Sequence, residues 1–103
     1  MINFLNKLFT SAPPADFAAL VKDGALIVDV RTSGEFNSGH IKGSINIPLD
    51  TIQSKTAELK KKGKTIITCC RSGSRSGMAK SMLEGAGITC YNGGAWNDLQ
   101  KKI

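Results

Sequence analysis

The chain has 103 residues, the length of one domain; that is enough to bury most of a hydrophobic core without disulfide staples and too little for two. Hydrophobic residues make up 41% of it, and no apolar run approaches the roughly 20 residues that span a bilayer. Fourteen Lys and Arg against eight Asp and Glu leave a charge of +6, which attracts small anions and anionic partners, while three cysteines without C-x-x-C spacing argue against a disulfide framework and a zinc or thioredoxin-type site.

The first nine residues, "MINFLNKLF", place Ile2, Leu5, Leu8 and Phe9 on one helical face, with no long apolar core and no small-residue cleavage site. They read as a docking segment or frayed helix rather than a membrane anchor. Residues 1–12 are expected to be a short lead to a single domain over 13–103, and the odd thiol count fits a reducing cytoplasm.

Pro13 and Pro14 stand where a helix can begin, and Phe17, Leu20 and Val21 continue at helical spacing until Gly24. "ALIVDV" (25–30) is a continuous apolar, branched run, the pattern of a strand buried on both faces. "SINIP" (44–48) gives a brief second strand closed by Pro48. Asp50 with Gln53 three positions on resembles a capping box for a helix through about Lys61. The basic run Lys60 to Lys64 that closes this helix is broken by Gly63 and lacks interleaved aromatics; it reads as a solvated helix end, and no nucleic-acid partner is expected.

"KTIITCC" (64–70) is the next buried strand. From Ser74 the positions Met78, Ala79, Met82, Leu83 and Ala86 follow helical spacing as far as Gly85 or Gly87. "ITCY" (88–91) makes a further strand, and after Gly93 and Gly94 the residues Trp96, Leu99 and Ile103 form the stripe of a terminal helix. Strands alternating with helices indicate an open, mostly parallel α/β sheet.

The stretch "TCCRSGSRSG" (68–77) thus falls in the turn from a buried strand to a helix N-terminus, where unpaired N–H groups and about half a positive charge stabilise an anion. A thiolate is such an anion. Cys70, at the strand's end and beside Arg71 and Arg75, is the favoured nucleophile, its pKa lowered by these donors and cations. The small residues Ser72, Gly73 and Ser74 let the backbone curl round the sulfur with its N–H groups inward. Cys69, one position back, is expected on the opposite strand face, in the core. Cys90 reads as a small core residue and Trp96 as a core anchor. Arg71 is assigned to the substrate. Arg75 is divided between the substrate and a carboxylate partner, for which Glu35 is the candidate. Asp29 and Arg31 are expected to support the site, either as an ion pair beneath it or with Asp29 positioning the loop, and His40 to order a turn rather than act as a base.

These residues carry a family resemblance. "CRSGSRS", Cys70 to Ser76, resembles the active-site loop of single-domain rhodaneses; "DVRTSGEFNSGHIKGSINIP", Asp29 to Pro48, resembles the family's other signature, and "YNGGAWNDL" its C-terminal end. Lys42 stands where proline is usual, Ser44 where alanine is usual, and a cysteine directly before the nucleophile is less usual. The resemblance implies an open, mostly parallel five-stranded sheet with helices on both faces. It also implies sulfur transfer in two steps, from a small anionic donor (thiosulfate or a persulfide) to Cys70, and then to cyanide or a thiol acceptor. It implies no metal and no organic cofactor. A monomer is expected, with a dimer left open. The alternatives are a phosphatase or arsenate reductase using Cys69, which lies five residues from Arg75, or Cys70, and a non-catalytic binding or sulfur-carrier module. Against the phosphatase stands Thr68, where such enzymes usually place a histidine.

Overall fold

The structure, a computed structural model, describes residues 15–103. The expected helix start at Pro13 and Pro14 and the expectations for the lead segment lie outside them.

Helix α1 (Phe17–Lys22) is capped by Asp16, whose side chain accepts from the Ala19 N–H at 3.0 Å. Strand β1 (Leu26–Asp29) leads to a short helix, α2 (Ser33–Ser38), then to β2 (Ile45–Asn46) and α3 (Leu49–Lys62). Strand β3 (Ile66–Cys70), α4 (Ser74–Gly85), β4 (Cys90–Ala95) and α5 (Trp96–Lys101) complete the chain. The sheet order is β2-β1-β3-β4, and all three pairings are parallel.

The sheet has four strands among the described residues, not the five that the resemblance implied. Each strand grows from one of the four strand-like runs of the sequence, and every other regular segment here is helical.

Alternation of side chains across β1 and β3 divides the core in two. Val28, Ile66 and Cys70 face α3 and α4, where they meet Ile52, Leu59, Ala79 and Leu83. Ile27, Ile67 and Cys69 face the other way, toward Leu99 of α5 and the partly buried Phe17, Leu20, Val21 and Trp96. Both faces of the sheet are therefore covered by helices, as expected, and no helix among the described residues is long and apolar enough to cross a membrane.

Four local readings are corrected. The Asp50–Gln53 capping box does not form: α3 starts two residues earlier than a cap at Asp50 implies, behind Pro48, with no side-chain cap, because Pro48 already sets the entry geometry and leaves Asp50 inside the first turn. A capping box forms instead at Thr32 and Glu35, which starts the unforeseen α2. On α4 the buried line is Ser76, Ala79 and Leu83, while Met78 and Met82 stand one position round the helix, about 100° away, and are exposed. Ile103 lies beyond the end of α5 and is exposed.

The last strand also shifts, from the expected 88–91 to Cys90–Ala95. Its pairing with β3 passes through an irregularity between Thr68 and Cys70, so that Cys70 aligns with Ala95. Gly93 allows this approach: a Cβ there would stand 2.8 Å from Leu99 Cδ2 and 2.9 Å from both Ile67 Cγ2 and the Thr68 carbonyl oxygen. The pair of glycines that sequence reading takes as a break is thus part of the strand.

Candidate active site

Strand β3 delivers Cys70 to its C-terminal edge with the side chain wholly buried. Helix α4 then starts four residues later, with Gly73 as its N-cap at φ 101°, a left-handed conformation that a side chain would strain. The tight reversal turns the first N–H groups of α4 back onto the sulfur. Gly73 N–H donates to Cys70 Sγ at 2.9 Å and Ser76 N–H at 3.4 Å, and the Ser76 hydroxyl lies 3.3 Å from the same atom. Burial opposes a charged sulfur, yet the Ser76 hydroxyl and N–H, with the Gly73 and Ser72 N–H groups, outweigh it and hold the Cys70 thiol below its ordinary value.

Around this cradle Arg71, Ser72 and Ser74 are exposed, and Gly73 and Arg75 are partly so. Arg75 is committed: Nη1 donates to Glu35 Oε1 at 2.7 Å and Nη2 to Oε2 at 3.0 Å. Glu35 is itself held by the Thr32 N–H at 3.0 Å. Arg75 first, and Thr32 after it, draw the Glu35 carboxyl down to about 2. The charged form of Glu35 therefore stabilises the fold above the usual carboxylate value of about 4.3 and ceases to do so as pH falls toward the folded value. Of the loop's two arginines, Arg71 is left without an ion pair among the described residues.

Beneath the loop, Asp29 and Arg31 form the expected ion pair. Arg31 donates from Nη2 to Asp29 Oδ2 at 2.7 Å and from Nε to Oδ1 at 2.9 Å, and also to the carbonyls of Glu35 (3.2 Å) and Gly39 (2.7 Å). Its guanidinium lies 4.8 Å from the centroid of Trp96, so this half-buried ring packs on a cation as well as on the core. His40 sits away from the sulfur, exposed, stacked on Phe36 at 3.7 Å; a carbonyl only accepts, so its Nδ1 carries the proton it donates to Phe36 O at 2.8 Å. It orders the end of α2, as expected.

The other two cysteines lie outside the cradle. Cys69 points to the opposite face of the sheet, and burial, reinforced by the nearby Asp29 carboxylate, pushes its thiol up to about 12. Cys90 is buried with Ala79 and Leu83, and burial pushes it up to about 11. All three thiols are free in this structure.

Two residues at the site were not anticipated as functional. Ser76 sits one place past the anticipated cradle; only the helical turn brings both its N–H and its hydroxyl to the sulfur. Asn92, on β4, accepts from Ser76 Oγ at 2.7 Å and from the Gly94 N–H at 2.9 Å, and donates to the Gly73 carbonyl at 3.1 Å. Its only signal in the sequence is a polar side chain just before two glycines.

The sequence pattern of the rhodanese-like domain matches residues 13–100. A tRNA sulfurtransferase of Thermoplasma acidophilum is 34% identical over 79 residues; the match covers 77% of this chain but only 15% of that much longer protein. The thiosulfate sulfurtransferase PspE of Escherichia coli is 34% identical over 74 residues, covering 70% of this chain and 71% of its own. Among solved structures, a rhodanese with anions from E. coli superposes with a TM-score of 0.67 at 31% identity, over 73% of this chain and 91% of its own.

Proposed function

The chain belongs to the rhodanese-like domain family, and from that premise we propose that residues 13–103 form a sulfurtransferase unit in which the Cys70 thiolate accepts and passes on a sulfane sulfur. The observation that carries this reading is the size of the cradle. Four residues separate Cys70 from Arg75, the loop closes on the sulfur at 2.9 Å, and Cys70 is fully buried, so the donor must present a single narrow atom.

With thiosulfate as donor, the Cys70 thiolate attacks the outer sulfur. A new S–S bond forms, the bond to the sulfite sulfur breaks, and sulfite leaves with the bonding pair. Cys70 then carries a terminal persulfide anion. The N–H groups that hold the thiolate, chiefly those of Gly73 and Ser76, are fixed in advance for that charge. An acceptor thiolate or cyanide attacks the terminal sulfur and restores the Cys70 thiolate. The thiolate form needs no general base, and the hydrogen bonds that lower the Cys70 thiol enlarge the share of that form. Arg71 is the loop cation free to draw the anionic donor, while Arg75 shapes the loop through Glu35. Asp29 and Arg31 support that arrangement from below, and His40 supports α2. The E. coli rhodanese with anions, named for what it binds, fits a donor of this charge. Three free thiols fit a reducing compartment such as the cytoplasm.

A phosphatase or arsenate reductase using Cys69 is less supported, since Cys69 faces the opposite side of the sheet and burial pushes its thiol up to about 12. One using Cys70 has only four residues between the thiol and Arg75, a loop that suits a single sulfur better than a tetrahedral group.

The test is intact mass under non-reducing conditions after brief exposure to thiosulfate, followed by cyanide. The expected result is the gain of one sulfur, discharged as thiocyanate. Arg71→Ala should raise KM for thiosulfate about five- to tenfold with kcat little changed, the loss of one charge-assisted contact at an exposed position. Loading by a low-molecular-weight persulfide and not by thiosulfate would make the chain a persulfide-fed carrier. No loading by either would remove sulfur transfer altogether.

A further inference from the structure

We propose that Asn92 is a positioning residue for Cys70: without touching the sulfur, it holds Gly73 and Ser76, two of the residues that donate to it. The proposal rests on the reading of Cys70 as nucleophile. Gly73 gives its N–H to Cys70 Sγ and its carbonyl to Asn92 Nδ2; Ser76 gives its N–H to the sulfur while its hydroxyl lies between the sulfur, at 3.3 Å, and Asn92 Oδ1, at 2.7 Å. The amide is fixed in turn by the Gly94 N–H and lies across Gly77, where a Cβ would stand 3.2 Å from Nδ2. One exposed side chain of β4 thus spans the loop and the first turn of α4.

The Ser76 hydroxyl has one proton and two neighbours. While Cys70 is a thiol, its S–H can donate to Ser76 Oγ and the hydroxyl donates to Asn92. When the thiol gives its proton to solvent, the hydroxyl can turn to the thiolate, and Asn92 Oδ1 keeps the Gly94 N–H. The charged groups that face the sulfur are Arg75 from α4, with Glu35 of α2 attached to it; behind it in β3 lies Cys69, next to Asp29 and Arg31 of the β1 end. None of these touches Asn92, so its effect on Cys70 is separable from theirs.

The experiment follows the ultraviolet absorbance of the Cys70 thiolate with pH, and its alkylation by iodoacetamide, in the reduced chain with no sulfur donor present. Asn92→Ala and Ser76→Ala should each raise the midpoint by about one pH unit and slow alkylation at a fixed pH below it about tenfold, the loss of a well-held hydrogen bond to a charged atom. In the thiolate form Asn92 acts through the Gly73 carbonyl and the Ser76 hydroxyl acts by itself, so the double variant should lose about the product of the two single losses. Should Asn92→Ala not fold, Asn92→Ser, which adds no charge and is too short to reach the Gly73 carbonyl, should also raise the midpoint. An unchanged midpoint with only a lower melting temperature would make Asn92 structural and overturn the proposal, as would a lowered midpoint, which would mean that Asn92 only competes with the sulfur for the Ser76 hydroxyl. Because no donor is used, a chain that titrates as expected yet takes up no sulfur refutes the transfer reading and not the positioning.

Discussion

Replacing Cys70 by serine is expected to abolish sulfur uptake from thiosulfate, while Cys69→Ala keeps it within about twofold of the parent. The physical distinction is position. Both side chains are wholly buried, but only Cys70 lies at a helix N-terminus with N–H donors on its sulfur, and its thiol is lowered where that of Cys69 is pushed up to about 12. Uptake should rise with pH through a midpoint below the ordinary thiol value of about 8.5 and then level off, because the thiolate is the reactive form. The sign for stability runs the same way. A depressed folded pKa means the thiolate stabilises the fold above the ordinary thiol value, and that contribution fades as pH falls through the folded midpoint. Intact mass over a pH series reads the first effect and urea unfolding the second. A sulfur found on Cys69 in the Cys70→Ser chain would reverse the assignment of the nucleophile.

The second large effect is on the fold. Asp29→Ala should cost about 3–5 kcal/mol, the loss that follows when one member of a buried ion pair is left alone. Asp29 is 0% exposed and Arg31 4%, and the guanidinium is held by two carbonyls and the face of Trp96, so it has no easy route to water. Urea unfolding measures the loss. Exchanging both residues for apolar ones of similar size should cost clearly less than the single change, since no charge is then stranded. A loss under about 1 kcal/mol in Asp29→Ala would mean that Arg31 reaches solvent, and the buried pair would no longer explain the position of α2. Sulfur uptake should fall in this variant as well, because Arg31 holds the Glu35 carbonyl and Glu35 holds Arg75.

The candidate nucleophile stands out in the sequence because its chemistry is local. A strand-like run, a cysteine, two arginines and a set of small residues stand within ten positions, and the spacing alone places them at a helix start. Glu35 and Arg75 were legible as candidates because opposite charges near a loop are few. Ser76 was one helical residue too far to be counted in a loop. Asn92 was hidden by distance: its partners are Gly73, Ser76 and Gly94, and only the parallel pairing of β3 with β4 brings them together. The false capping box at Asp50 and the true one at Thr32 show the same limit at short range, since a polar side chain caps a helix only where the backbone has not already been turned by Pro48.

By itself the sequence pointed to the alternation of strands and helices apart from α2, to the burial of β1 and β3, and to Cys70 as the candidate nucleophile, because periodicity and helix-end chemistry depend on neighbours in the chain. Tertiary structure alone decided where β4 begins and ends, that Arg75 is bound while Arg71 has no ion pair among the described residues, and that an asparagine 22 residues past Cys70 meets Gly73 and Ser76. Each of these follows from the register between strands and the packing across the sheet, and neither is written in any one segment.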